Sequence, residues 1–342
     1  MKRPEELPLP LLLWYREHAR KLPWRETKDP YRIWLSEVML QQTRVAAVMG
    51  YYARFLRALP TVEDLAEVPD DELMKLWQGL GYYSRARNLK KAAGVIVSEY
   101  GGKFPADLAK LKKLPGVGDY TAGAVASIAF GLPEPAVDGN VLRVLARICG
   151  DESDITLPAT RREAAEALRD VMPLAAPGEF NQAMMELGAT VCLPNGAPLC
   201  DQCPAREFCA ALRDGTIDKL PVKPEKKPRK VERRVVYLLF HAGRAALRRR
   251  PEKGLLAGLW EYPNTLEGEE EPVKGPAWAD AGTGKHIFTH IEWHMRALTA
   301  EMDSEELPEG WVWAGREELR SVYAVPNAFS DFRHKVEERL GE

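Results

Sequence analysis

Four of the five cysteines in this chain lie close together, at Cys192, Cys200, Cys203 and Cys209. Prolines and glycines lie between and around them, which favours a tight loop over a regular helix. Four thiolates at this spacing suit either an iron–sulfur cluster or a tetrahedral zinc ion, because both prefer soft sulfur ligands. Two disulfides are the alternative, although nothing else in the sequence is typical of a secreted protein. The spacing therefore predicts a metal or cluster site at 192–209 and does not by itself choose the metal.

The size and composition describe an ordinary globular protein with more than one domain. The chain has 342 residues, of which 45% are hydrophobic and 29% are charged, so two domains are expected. No apolar run is long enough to cross a bilayer, and the first residues lack the apolar core of an export signal, so we expect a cytoplasmic protein. The net charge is −2, so any nucleic-acid contact must use local basic patches.

The hydrophobic pattern changes once along the chain, from helical to strand-like. A helical pattern runs from Leu9 to about Leu212, and a Pro- and Lys-rich stretch follows at 221–230. Beyond it, strand patterns lie at 235–240, 245–248, 286–293 and 310–313, with a turn at 242–243. We therefore predict an all-α domain at 1–218, a basic linker at 219–231 and an α+β domain at 232–342.

A glycine-containing hairpin, Leu114-Pro-Gly-Val-Gly118, separates two helical patterns. Gly116 and Gly118 permit backbone conformations that other residues avoid, and the helix that begins near Asp119 directs free N–H groups outward. Such a hairpin suits one DNA phosphate. A plain turn between helices fits the glycines equally well.

Two carboxyl groups stand out by their surroundings. The helical neighbours of Glu37 are mostly apolar, so burial is expected to raise its pKa and let it act as a general acid; the alternative is a Glu at the edge of an amphipathic stripe. Asp138 precedes a helix that begins near Val141, where the helix dipole favours its anion; the alternative is that Asp138 or Asn140 only caps that helix. One neutral and one charged carboxyl group are the pair used in glycosidic bond cleavage.

Candidate DNA contacts lie near these groups. Gln42 and Thr43 place an amide and a hydroxyl beside Glu37. Leu80 and Tyr82 follow a glycine turn and precede several Arg and Lys residues. An apolar or aromatic wedge flanked by cations can open a base stack. Core aromatics with a solvated basic face are the alternative.

Several sequence blocks, taken in order, resemble the MutY adenine DNA glycosylases. They are SEVMLQQTRV (36–45), GLGYYSRARNL (79–89), LPGVGDYTAGAV (114–125), AVDGNVLRVLARI (136–148), FNQAMMELGATVC (180–192) and the cysteine loop. The resemblance implies a multidomain protein, with an all-α helix–hairpin–helix glycosylase domain that carries a [4Fe–4S] loop and an α+β MutT (Nudix)-like domain after it. It also implies removal of adenine paired with 8-oxoguanine or guanine in double-stranded DNA, by a monomer acting on the nucleoid.

The resemblance implies roles for individual residues. Glu37 would protonate adenine N7 and Asp138 would stabilise the sugar cation, with Tyr120 and Asn140 as their partners. The residues implied to contact DNA or the flipped adenine are Arg25, Gln42, Thr43, Leu80, Tyr82, Gly116, Gly118, Gln182, Phe288, Thr289 and His290. Cys192, Cys200, Cys203 and Cys209 would hold the cluster.

Three features refine the resemblance. Tyr120 stands where bifunctional relatives such as endonuclease III carry a nucleophilic Lys, so a monofunctional enzyme is implied, because tyrosine forms no Schiff base. In Phe288-Thr289-His290 a Thr replaces the usual Ser, and seven residues separate Cys192 from Cys200 where the family usually has six. The second domain lacks the Arg- and Glu-rich helix that holds Mg²⁺ in nucleotide hydrolases of its fold, so we expect it to recognise the lesion and hydrolyse nothing.

Three other functions remain open at this point. They are a bifunctional glycosylase/lyase for oxidised pyrimidines, a damage-binding protein without catalysis, and a nucleotide pyrophosphatase that works through the second domain.

Overall fold

The structure is a computed structural model that describes residues 1–225, 228–273 and 277–341. It divides into two compact units, Met1–Glu67 with Asn88–Glu225, and Val68–Arg87 with Lys226–Glu342. Two residues of the predicted linker 219–231, at 226 and 227, lie outside the described residues. The first strand of the second unit begins at Lys230, so the last two linker positions are strand. The domain limits at 218 and 232 stay a prediction.

The first unit is helical. Its helices are α1 (Pro8–His18), α2 (Pro30–Leu40), α3 (Val45–Ala58), α4 (Val62–Glu67), most of α6 (Ser84–Tyr100), α7 (Leu108–Leu111), α8 (Asp119–Phe130), α9 (Gly139–Cys149), α10 (Pro158–Val171), α11 (Pro177–Thr190) and α12 (Ala210–Arg213). Helix α5 (Asp70–Trp77) lies in the second unit. The predicted helical pattern from Leu9 to Leu212 is confirmed.

Local sequence signals fix the helices that carry the candidate site. Proline occupies the first turn of α2, and Asp29 caps that helix by accepting a hydrogen bond from Tyr31 N at 2.9 Å. Helices α8 and α9 end at Gly131 and Gly150, whose φ angles of 67° and 64° suit a left-handed cap. Apolar residues of α1, α9, α10 and α11 form one buried core. Of these helices, α9 and α11 also contribute residues to the candidate site.

The second unit contains a seven-stranded mixed sheet. Its strands are β1 (Lys230–His241), β2 (Arg244–Arg249), β3 (Trp260–Glu261), β4 (Asn264–Leu266), β5 (Ala279–Ile287), β6 (Ile291–Glu301) and β7 (Trp311–Ala314), and its later helices are α13 (Arg316–Ser321) and α14 (Ser330–Arg339). The main order is β3-β2-β1-β6-β5, with β4 beside β1 and β7 beside β2. Strands β1 and β6 are parallel and the other pairs are antiparallel. The α+β prediction is confirmed.

Strand β1 is buried on both faces, which explains its continuous apolar run. Val236, Leu238 and Phe240 belong to one core, whereas Tyr237 and Leu239 belong to the core on the opposite face, as the alternation of side chains along a strand requires. The turn predicted at 242–243 joins β1 to β2, and both of its residues have positive φ, as in the tight turns that match strand twist.

The pattern at 286–293 is not a single strand, so that prediction was wrong. β5 ends at Ile287 and β6 begins at Ile291, and Phe288 N donates to Ile291 O at 2.8 Å across the turn between them. Alternation continues through the turn because the residues on both sides of it belong to an antiparallel pair. The Phe288–His290 segment is therefore a hairpin tip. Residues 267 and 268 form a turn, and no helix lies among the described residues 267–273.

Helix α5 is fixed to the second unit by side chains that donate to backbone oxygens. Lys75 Nζ donates to Leu319 O at 2.9 Å and to Tyr323 O at 3.2 Å, and Gln78 Nε2 donates to Val325 O at 2.7 Å. Residues 68–87, which the sequence alone assigns to the helical domain, therefore pack with the second unit. Within the described residues, no helix combines the length and apolar character needed to span a bilayer.

Candidate active site

Helices α2, α8 and α11 and the start of α9 enclose one cavity of about 450 Å³ in the first unit. Its lining includes the predicted residues Arg25, Glu37, Thr43, Tyr120, Asp138, Asn140 and Gln182. These residues are far apart in the sequence, and the fold brings them together. The cavity also has apolar walls, to which Leu22, Trp24, Ile33 and Met185 contribute, and this combination of apolar walls with a few polar groups is typical of a small-molecule or base pocket.

Glu37 is a buried acid within this cavity. Glu37 is only 5% exposed, and Tyr120 Oη donates a hydrogen bond to Glu37 Oε2 at 2.5 Å. Burial raises the pKa of Glu37 to about 7, and the Asp138 charge also raises it, while the Tyr120 hydrogen bond and the Arg25 charge oppose the rise. Because desolvation penalises the charged form, Glu37 can hold a proton near neutral pH. The geometry favours the general-acid interpretation over a Glu at the edge of an amphipathic stripe.

Asp138 is held at the N-terminus of α9 by both of its oxygens. Oδ1 accepts from Asn140 N at 2.9 Å and from Val141 N at 2.8 Å, and Oδ2 accepts from Asn140 Nδ2 at 2.9 Å. These bonds hold the carboxyl group of Asp138 in one orientation at the start of the helix. Asp138 therefore caps its helix and also lines the cavity, and its role in bond cleavage stays a prediction.

Arg143 ties this corner of the cavity to the cysteine loop. Its Nη2 donates to Asn140 Oδ1 at 3.0 Å and to Gly188 O at 2.7 Å, and its Nε donates to Cys192 O at 2.9 Å. Arg143 is 4% exposed, so these bonds are shielded from water. They fix the amide of Asn140, which in turn fixes Asp138.

Glu186 is a cavity residue that the sequence analysis missed. Its side chain is 0% exposed; Oε1 accepts from Arg20 Nε at 2.7 Å, and Oε2 accepts from Arg20 Nη2 and Arg25 Nη2, each at 2.7 Å. Burial alone would raise its pKa, but the hydrogen bonds and charges of the two arginines lower it to about 2. The sequence did contain a signal for Glu186. It lies in a largely apolar helix, one turn after Gln182, just as Glu37 lies in a largely apolar helix.

The four loop cysteines line a second cavity of the first unit, next to Arg147 and apolar residues of α9 and α11. Arg147 Nη1 donates to Cys192 Sγ at 3.3 Å. All five cysteines are free, so the structure has no disulfide in this loop. Within the described ranges, no set of three or more His, Cys, Asp or Glu side chains is arranged for a single metal ion. A shared cavity, sulfur donors only and a nearby cation fit an anionic thiolate-bound cluster.

Comparisons with known proteins agree with this site. Residues 35–170 match the family model of the HhH-GPD superfamily base excision DNA repair protein, and residues 235–335 match that of the NUDIX domain. The adenine DNA glycosylase of Mus musculus is 36% identical over 97% of this chain and 78% of its own length. The human adenine DNA glycosylase is 35% identical over 91% of this chain and 70% of its own length. This chain belongs to the adenine DNA glycosylase family.

Solved structures place this adenine DNA glycosylase family member among the helical glycosylases. A thermostable thymine-DNA glycosylase superposes with a TM-score of 0.56 and 31% identity, over 60% of this chain and 94% of that one. A non-covalent endonuclease III–DNA complex gives 0.53 and 27%, over 63% of this chain and 99% of that one. The helix–hairpin–helix prediction for the first domain is confirmed.

The hairpin of this family member needs only one of its two glycines for conformational reasons. Gly116 has φ of 75°, and a Cβ there would lie 2.6 Å from Asn88 Cβ. Gly118 has an ordinary φ of −90°, and a Cβ would meet nothing within 4 Å. The expectation that both glycines adopt a conformation closed to other residues was therefore wrong for Gly118. Gly118 instead precedes α8, where a missing side chain leaves the first amides of that helix open.

The other predicted DNA contacts differ in exposure. Gln42 is exposed, with a positive φ of 56°, and Thr43 is partly buried at the cavity. In the second unit, Leu80 is only 6% exposed whereas Tyr82, with φ of 46°, is 45% exposed. The aromatic ring is therefore the more accessible wedge of the two.

The predicted lesion-reading segment presents two residues at a hairpin tip. The Phe288 ring packs edge-on against Trp293, with 4.8 Å between ring centres. Phe288 is thereby anchored in the core, while Thr289 and His290 are exposed. Tyr82 Oη lies 3.0 Å from Thr289 Oγ1, so the second unit brings the aromatic wedge and the hairpin tip together.

Proposed function

We propose that this protein is a monofunctional adenine DNA glycosylase of base excision repair. Its substrate is adenine paired with 8-oxoguanine or guanine in duplex DNA, and its product is an abasic site. One observation carries the proposal: a buried carboxyl group that can be protonated near neutral pH, Glu37, shares a base-sized cavity with Asp138, which is held as a helix cap. The family of the chain supports the choice of adenine.

The two acids divide the chemistry of bond cleavage. Glu37 gives its proton to N7 of the flipped adenine, which lets the ring accept the electron pair of the C1′–N9 bond as that bond breaks. Positive charge develops on the sugar and is stabilised by the Asp138 carboxylate. Water adds to C1′ and releases a proton. Tyr120 orients Glu37, and Asn140 orients Asp138.

Replacing Glu37 with Gln tests the proposal. The amide keeps the size of the side chain but carries no acidic proton, so we expect adenine release to be nearly abolished while duplex binding is retained. Glu179→Gln is the control, since Glu179 pairs with Arg16 away from the cavity. Single-turnover release from a labelled duplex with adenine opposite 8-oxoguanine is measured. Unchanged turnover in Glu37→Gln would refute the assignment.

The same duplex separates glycosylase from lyase activity. Because Tyr120 offers no amine, we expect strand breaks only after alkali treatment and no covalent adduct with borohydride. A trapped protein–DNA adduct would favour the bifunctional alternative.

The remaining features of the chain complete the proposal. Cys192, Cys200, Cys203 and Cys209 would bind a [4Fe–4S] cluster, which would hold the loop that follows α11 in one conformation. Gln42, Leu80 and Tyr82 would enter the duplex, Gly116 and Gly118 would approach a phosphate, and the Phe288–His290 tip would contact 8-oxoguanine. We propose that the protein acts as a cytoplasmic monomer on the nucleoid.

A further inference from the structure

The amide of Gln182 is held at the cavity wall by a hydrogen bond from a residue at the opposite end of the first unit's sequence. Tyr15, on α1, donates a hydrogen bond from Oη to Gln182 Oε1 at 2.8 Å. Tyr15 is 8% exposed, so water competes little for this bond. The amide oxygen is occupied, and Gln182 Nε2 has no protein partner among the described residues. Since Gln182 lines the cavity, its NH₂ group remains as a donor for a ligand there.

Tyr15 also contacts the second polar group of the same wall. The guanidinium carbon of Arg25 lies 5.4 Å from the centre of the Tyr15 ring, within the range of a cation–π contact. Arg25 is further held by Glu186 at 2.7 Å and by Arg20 O at 3.1 Å. One tyrosine therefore touches two cavity residues, Arg25 and Gln182, that the resemblance implies to contact DNA or the flipped adenine.

We propose that Tyr15 is a positioning residue, which holds the amide of Gln182 in place for a hydrogen bond from its NH₂ group to adenine. The inference rests on the proposed function. The unprotonated ring nitrogens of adenine are acceptors, so a donor on this wall complements them, whereas the amide oxygen would not. Without the Tyr15 hydroxyl the amide of Gln182 loses this anchor and can move or turn over. Its hydrogen bond to the base is then weaker, so productive binding is reduced.

Tyr15→Phe is the informative variant, because it keeps the ring beside Arg25 and removes only the hydroxyl. Tyr31→Phe is a matched control: Tyr31 is also buried, and its hydroxyl donates to Leu59 O at 2.8 Å. We expect Tyr15→Phe to slow single-turnover adenine release about tenfold, as the loss of one hydrogen bond to the reacting base would. Tyr31→Phe should change the rate by less than about twofold, with a similar loss of thermal stability.

A double-mutant cycle separates positioning from a general structural effect. In a Gln182→Leu background, Tyr15→Phe should cause no further loss of rate, because its target is gone. The inference would be overturned if Tyr15→Phe and Gln182→Leu reduced the rate of adenine release multiplicatively. It would also be overturned if Tyr15→Phe released adenine at the same rate as Tyr31→Phe. Wild-type protein that releases no adenine in this assay would instead count against the proposed function, so the two failures are distinguishable.

Discussion

At the scale of single residues, the protonation of Glu37 controls the proposed chemistry. Burial raises its pKa to about 7, so the acid is protonated below that pH and loses its proton as the pH rises through it. We expect the single-turnover rate of adenine release to be constant at low pH and to fall as the pH rises through about 7. A rate that increases across this range would contradict the role of Glu37 as an acid.

Tyr120 affects the pKa of Glu37. Its hydrogen bond lowers the pKa of Glu37 against the larger effect of burial. Tyr120→Phe should therefore shift the descending limb of the pH profile to higher pH, in addition to any change in maximal rate. Wild type and variant are compared over the same buffers, and an unmoved or lowered midpoint would show that the contact does not govern Glu37.

The sequence identified some of these residues by their surroundings and missed others. Glu37 was recognisable because its helical neighbours are apolar, and burial confirms that logic. Glu186 has a similar setting, but its arginine partners come from a short segment near the start of the chain. Tyr15 resembles an ordinary core residue of α1, and only the fold shows which amide its hydroxyl meets. Partners distant in sequence have no local signature.

At the scale of secondary-structure elements, the contact of α8 with the segment that leads to Asp138 leaves no space at Gly123. A Cβ on Gly123 would overlap the backbone oxygen of Pro135. We expect Gly123→Ala to displace this segment, to destabilise the protein by about 1–3 kcal/mol, and to slow adenine release. Gly50→Ala is the control. Gly50 lies on α3 with open space around it, so this substitution should raise the free energy of unfolding by about 0.5–1 kcal/mol. Urea unfolding and the release rate check both; equal effects would refute the packing argument.

The cysteine loop gives a second prediction at this scale. Cys203→Ala removes one of the four proposed ligands, so purified protein should lose iron and acid-labile sulfide. Cys149→Ala should retain both, because Cys149 lies on α9, outside the loop, and donates to Lys2 O. Metal and sulfide analysis decides the outcome. Zinc without sulfide in the wild-type protein would favour a tetrahedral zinc site instead.

Element types were easier to predict than element ends. The helical pattern of 9–212 and the strand patterns at 235–240, 245–248 and 310–313 identified the right class, since periodicity reports which face is buried. The strands β3 and β4 and the helices α13 and α14 were not predicted. The hairpin tip at 288–290 escaped because an antiparallel pair preserves alternation through its turn. Gly118 was given a conformational role because glycine content alone does not reveal φ, whereas the missing side chain at a helix start serves access to the amides.

At the scale of the whole molecule, residues 68–87 belong structurally with a sheet that lies more than one hundred residues later in the chain. We expect native-state hydrogen exchange to show α5 opening together with the strands of the second unit rather than with α8. The test is exchange measured by mass spectrometry in mild denaturant. Exchange of α5 at the rate of α8 would contradict this division of the chain.

No feature of the sequence indicated that residues 68–87 belong to the second unit. The composition changes after residue 218, which suggested a boundary there, but the helical pattern of 68–87 is like that of its neighbours. Hydrogen bonds from the Lys75 and Gln78 side chains to backbone oxygens of residues 319–325 join it to the second unit. Such bonds depend on the tertiary fold, which local propensity does not encode.

Gln42 and Tyr82 hold backbone angles that cost most residues about 1 kcal/mol or more, yet neither is glycine. If selection acted on thermal stability alone, glycine would be expected at both positions, because glycine adopts positive φ angles without this cost. The proposed entry of both side chains into the duplex would account for their presence at this cost, so related sequences that keep that role should also carry a side chain at these two positions.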